Sequence, residues 1–140
     1  MIPRVDVVGV PMDLGADRRG VDMGPSAVRY ARLQESLERL GIAVVDHGNL
    51  AVKVPEAAHE THRTAKYLPE IEAANARLTE VVAAIVADGG FPLVLGGDHS
   101  IAIGTLAGVT RARGRAPGVL WVDAHGDVNA PQTTLSGNVH

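Results

Sequence analysis

The sequence predicts an α/β fold, a mostly parallel sheet covered by helices. Four apolar runs, Val5 to Val10, Ile42 to Val45, Phe91 to Leu95 and Gly118 to Val122, are continuous rather than alternating, as in strands buried on both faces. Segments with apolar residues spaced three and four apart separate them. The resulting order, strand, loop, helix and then strand and helix in alternation, is that of parallel strands joined by helical crossovers. At 140 residues, without an internal repeat or a linker, the chain reads as a single domain with a real core.

Val5 to Val10 is the first strand, interrupted only by Asp6 and Gly9. Residues 11 to 25 follow, and their glycines and prolines forbid regular structure, so a long loop leaves the strand end. From Pro25, suited to a first helical turn, Val28, Ala31, Leu37 and Leu40 fall on one face and predict a single helix that Gly41 ends. Ile42 to Val45 is the second strand. Residues 47 to 67 lack a period and predict a surface connection; its His59-Glu60-Thr61-His62 places the histidines three apart rather than the four of the zinc motif H-E-x-x-H, and reads as exposed polar residues. Leu68, Ile71, Ala74, Leu78, Val82 and Ile85 predict an amphipathic helix ending near Gly89. After the third strand, Gly96-Gly97-Asp98-His99-Ser100 turns the chain into a helix over 101 to 112, with Asp98 or Ser100 as its N-cap. The fourth strand, Gly118 to Val122, precedes a tail with little regular pattern.

Composition narrows the function classes. With no cysteine, a disulfide framework and a thiolate metal site are both excluded, which suits a reducing cytoplasm. A net charge of -3 with acids and bases interspersed predicts neither nucleic-acid nor anionic-membrane binding. The N-terminus has no basic region followed by an apolar core, and no apolar stretch approaches the roughly 18 to 20 residues that cross a bilayer. These readings predict a cytoplasmic protein.

The chemistry concentrates at two strand ends. His99 follows the third strand, and Asp123, His125 and Asp127 follow the fourth at spacings i, i+2 and i+4. In a parallel sheet both ends point the same way, where such folds place their ligands. Carboxylate and imidazole without sulfur favour Mn²⁺, with Zn²⁺, Co²⁺ or Fe²⁺ possible and Mg²⁺ ill suited to histidine. A carboxylate can bridge two ions, and two ions about 3.5 to 4 Å apart can hold a hydroxide nucleophile at neutral pH. The competing reading makes the aspartates caps or loop acceptors and the histidines ordinary polar residues. Ser100 lacks a nucleophile-elbow pattern and reads as a cap; Gly96-Gly97 permits a tight turn, since neither phosphate-cradling glycine motif is present.

Gly96-Gly97-Asp98-His99-Ser100, Asp123-Ala124-His125-Gly126-Asp127 and Ser136-Gly137-Asn138-Val139-His140 resemble, in order and spacing, three signatures of the ureohydrolases, most closely of the arginase family. The front end, Gly9-Val10-Pro11-Met12-Asp13-Leu14-Gly15 and Arg18 to Ala27, is similar to the opening of bacterial members. The resemblance implies a three-layer αβα fold of the arginase/deacetylase type with about half of its sheet, residues 1 to 140 forming the N-terminal portion of one such domain. It further implies hydrolysis of L-arginine to L-ornithine and urea by a hydroxide bridging two Mn²⁺ ions. His99, Asp123, His125 and Asp127 would be metal ligands, with Asp123 bridging. Asn129, Thr134, Ser136 and Asn138 would bind the substrate's α-carboxylate and α-amino groups, and His140 would shuttle protons. Family members run to about twice this length, and the further half would carry an Asp-x-Asp motif that completes both metal positions, a glutamate for the guanidinium, and two strands lying between the third and fourth predicted here. Trimers or hexamers are the implied assembly. The alternatives are another ureohydrolase such as an agmatinase, and a non-catalytic metal-binding or assembly module.

Overall fold

A computed structural model describes residues 4–59 and 62–139. Three strands, β1 (Arg4–Val10), β2 (Ala43–Asn49) and β3 (Phe91–Gly96), form a parallel sheet in the order β2-β1-β3. β1 is central, with Val5 opposite both Val44 and Phe91, and every residue from Val5 to Val10 is buried. The unbroken apolar run is therefore what two covered faces require.

Alternation along β1 divides the core between those faces. Val8 and Val10 join Met12, Leu14 and the inner stripe of α3 (Leu68–Ala87), namely Ile71, Ala74, Leu78, Val82 and Ile85. Val5 and Val7 point the other way and, with Leu95, pack against Leu33, Leu37 and Ile42. Helices thus cover both sides of the sheet. The stripe predicted for α3 is buried from Ile71 to Ile85, while Leu68 at its start stays exposed, and α4 (Ala102–Arg113) packs against α3. Asn75, buried on α3, accepts from the Gly104 amide at 2.8 Å and donates to the Ile71 carbonyl at 3.0 Å, joining the two helices without leaving an amide unsatisfied.

Two predicted elements differ. The single helix from Pro25 is two short helices, α1 (Gly24–Tyr30) and α2 (Leu33–Arg39), separated where Arg32 adopts a left-handed backbone with φ 64°. The break re-aims the second half, so that Leu33 and Leu37 reach the sheet while Val28 and Leu40 stay exposed. A continuous helix keeps one stripe, and this chain uses two. The predicted fourth strand has no ladder partner among the described residues: 118–122 lies outside the sheet, with Leu120 90% and Val122 88% exposed. An apolar run becomes a strand only when a neighbouring backbone accepts its hydrogen bonds, and the free edge of β3 is separated from this run by a cleft of about 720 Å³ lined by Val94 and Gly96 on one side and Val119 to Val122 on the other. His59 and His62 are exposed, as expected for the connecting loop, while Glu60 and Thr61 lie outside the described residues. Among the described residues no helix is long and apolar enough to cross a membrane.

One polar group interrupts the α3 face of the sheet. Asp6, 1% exposed, accepts from Arg4 Nε at 2.7 Å and pairs with His47 Nε2 at 2.8 Å, and Arg4 also reaches Asp88 beyond α3. Burial pushes the Asp6 carboxyl up, but the hydrogen bonds from His47 and Arg4 outweigh it and hold it below the usual carboxylate range. A depressed folded-state value stabilises above the ordinary aspartate pKa of about 3.9 and ceases to do so as pH falls through the folded value. Asp6→Asn should cost roughly 2–3 kcal/mol near neutral pH, at the low end for a broken buried pair because Arg4 and His47 reach water. Urea midpoints of the two proteins should then converge below about pH 4.

Candidate metal centre

The candidate site is built on the turn that leaves β3. Asp98, 6% exposed, caps the short 3₁₀ turn His99–Ile101 by accepting from the Ser100 amide at 3.0 Å and from the Ser100 hydroxyl. Its other oxygen accepts the Gly15 amide at 2.8 Å, which ties the turn to the loop after β1. That loop docks backbone against backbone. A Cβ on Gly97 would overlap the Met12 carbonyl oxygen, and one on Gly24 would overlap the Gly96 carbonyl oxygen. The Asp98 amide donates to Met12 O at 2.9 Å, so the turn joins this loop through its main chain as well. The cap expected from Asp98 or Ser100 for the following helix falls on this turn instead: Asp98 is the acceptor, the Ser100 hydroxyl adds a second donor, and α4 starts after Ile101 with no side-chain cap.

His99 then faces the segment after the predicted fourth strand. Its Nε2 lies 3.5 Å from Asp127 Oδ2 and its Nδ1 4.0 Å from Asp123 Oδ2. His99, Asp123 and Asp127 each offer a ligand atom, all within 4.8 Å of one another. The His125 amide, donating to Asp123 Oδ1 at 3.0 Å, and the nearby His99 and His125 rings hold the Asp123 carboxyl below the usual range, partly opposed by desolvation. Asp123 is thus ionised at neutral pH. A sulfur-free set of one imidazole and two carboxylates suits a divalent cation of the manganese class, so the residues present fit such an ion.

The i, i+2, i+4 spacing does not place all three tail residues together. A bend at Ala124 and His125, followed by a left-handed Asp127 with φ 47°, breaks the strand alternation. Asp123 and Asp127 turn toward His99, whereas the His125 side chain is 83% exposed with Nδ1 3.7 Å from Asp123 Oδ1, outside the three-residue group. Without a sheet ladder, nothing enforces a common face. Trp121 went unread in the sequence, where it passed as one more apolar residue of the run. Its indole sits edge-to-face on the His99 ring, with centroids 5.8 Å apart, and its Nε1 donates to Asp127 Oδ2 at 3.1 Å.

The predicted substrate-binding residues gather at a separate place. Asn129, Thr134 and Asn138 line a cavity of about 230 Å³ with Thr64, Ala65 and Leu68. Ser136 and Thr134 shape the turn beside it, their hydroxyl oxygens accepting from the Asn138 amide at 3.2 Å and the Gly137 amide at 3.0 Å. Asn138 Oδ1 is buried with no hydrogen-bond partner among the described residues, an acceptor awaiting a donor. The Lys66 amide donates to Gly137 O at 2.9 Å and holds the tail against the 62–66 loop. His140 lies outside the described residues.

The arginase family profile matches residues 3–140. The chain belongs to the arginase family. The arginase of Brevibacillus brevis is 53% identical over 140 residues, covering 100% of this chain and 46% of that protein. The native structure of Bacillus caldovelox arginase superposes with a TM-score of 0.87 at 50% identity, covering 99% of this chain and 46% of that one. Entamoeba histolytica arginase, solved in complex with L-ornithine, superposes with a TM-score of 0.85 at 32% identity over 99% of this chain and 47% of its own. The fold is that of the arginases, and the chain spans about half the length of the relatives it matches. The glycines of the arginase-like turn are explained by the contact they permit. Gly97→Ala should lower stability by about 1–3 kcal/mol, as overpacking at a rigid backbone does, measured as a drop in urea midpoint; an unchanged midpoint would show that the loop does not press on the turn.

Proposed function

We propose that residues 1–140 are the N-terminal portion of a single arginase-type α/β domain, and that the intact protein is a manganese-dependent hydrolase converting L-arginine and water to L-ornithine and urea. The observation that carries this reading is the convergence of His99, from the turn after β3, with Asp123 and Asp127, from the segment after the 118–122 run, in a chain of the arginase family. The Entamoeba relative bound to L-ornithine supports the same amino-acid class of ligand.

His99, Asp123 and Asp127 would hold Mn²⁺, and His125, exposed beside Asp123, would be a fourth ligand. When bound, Mn²⁺ would supply Lewis acidity and make hydroxide available at neutral pH for attack on the guanidinium carbon. Asn138 Oδ1, buried without a partner among the described residues, would accept from the α-amino group. Asn129, Thr134 and Ser136 would hold the α-carboxylate, directly or through water, and so fix the reacting end by gripping the far one. His140 would carry the proton to the departing ornithine amine. The intact protein would be a cytoplasmic homo-oligomer.

The test has two parts. Titrating the 140-residue protein with Mn²⁺ should show binding that His99→Ala and Asp123→Ala each weaken by more than the roughly 10-fold lower bound seen for outer-shell partners. Urea release from L-arginine should be slight for this chain alone and should rise when a polypeptide matching the second half of the Brevibacillus arginase is added. Release from agmatine with none from arginine would overturn the substrate assignment, and full turnover by this chain alone would overturn its assignment as a portion of the catalytic domain.

A further inference from the structure

Trp121 is the chain's single tryptophan, and its surroundings are not those of a core residue. It stands 43% exposed and belongs to neither apolar cluster of the sheet. What it does touch is the candidate metal centre, on two sides at once. Its ring meets His99 at an interplanar angle of 85° with centroids 5.8 Å apart. Its Nε1–H donates to Asp127 Oδ2 at 3.1 Å, the same oxygen that lies 3.5 Å from His99 Nε2.

We infer that Trp121 is a positioning residue for the metal centre, orienting the His99 imidazole through its ring and the Asp127 carboxylate through its indole N–H. The inference rests on the metal reading proposed above. A ligand side chain on an irregular segment has several rotamers to choose from, and Asp127 sits on such a segment with a left-handed backbone. A donor held on Asp127 Oδ2, the oxygen nearest His99, selects the carboxylate rotamer that faces the imidazole. An edge-to-face contact selects the plane of the imidazole. Partners that orient ligands in this way characteristically alter metal affinity by about 10- to 100-fold.

Replacing Trp121 by phenylalanine keeps an aromatic ring beside His99 and removes the donor; replacing it by alanine removes both. Mn²⁺ affinity of the 140-residue protein, read from the electron paramagnetic resonance signal of the free ion, should fall about 10-fold in Trp121→Phe and further in Trp121→Ala. Urea midpoints should stay at the wild-type value, because the side chain is half exposed and outside the core. A second readout needs no metal. One tryptophan gives one indole N–H cross-peak, and that peak should move upfield in Asp127→Asn. Equal Mn²⁺ affinity in wild type and Trp121→Phe, or an indole peak that Asp127→Asn leaves in place, would overturn the role of Trp121 alone. Failure of the wild-type protein to bind Mn²⁺ would overturn the metal reading and this role with it.

Discussion

Everything placed at the candidate site depends on one close approach of main chain to main chain. The loop after β1 lies against the turn after β3 with the Met12 carbonyl where a side chain at position 97 would begin, and with Gly24 seated on the Gly96 carbonyl. Asp98, buried between them, takes a hydrogen bond from each side. Side chains can adjust to a neighbour by changing rotamer, whereas two backbones in contact cannot. The contact therefore fixes where β3 releases the chain and sets the backbone at His99.

The two halves of the candidate metal centre differ in how firmly they are held. His99 is anchored by a capped turn at the end of a sheet strand. Asp123 and Asp127 come from a segment with no ladder partner among the described residues, oriented by local bonds such as the His125 amide on Asp123 and the Trp121 indole on Asp127. Local bonds of this kind contribute about 1 kcal/mol each, enough to bias a loop conformation and too little to reproduce the rigidity of a ladder. The exposed apolar residues Leu120 and Val122 show the same condition from the packing side.

The sequence alone determined the architecture to a large degree. Buried parallel strands need uninterrupted β-branched runs, and the first three runs are strands for that reason. The α3 stripe from Ile71 to Ile85 is buried residue for residue because a helix packed on a sheet has one inward face and its periodicity reveals which. A cluster of metal-ligating residue types was legible as well, since Asp and His at the close of an apolar run have no packing reason to be there, and two of the three tail candidates lie beside His99.

Tertiary structure decided the rest. Helix propensity does not distinguish one helix from two over residues 25–40; Arg32 breaks it because Leu33 and Leu37 must reach a sheet whose position no local pattern encodes. The run 118–122 is as strand-like in sequence as β3, yet a strand is a relation between two backbones, and within the described residues the second backbone is not beside it. His125 turned outward for that reason, the i, i+2, i+4 rule holding only where a ladder enforces the pleat. Trp121 was invisible as a site residue because an aromatic in an apolar run has packing as its ordinary explanation; only its contacts with His99 and Asp127 separate it from the core.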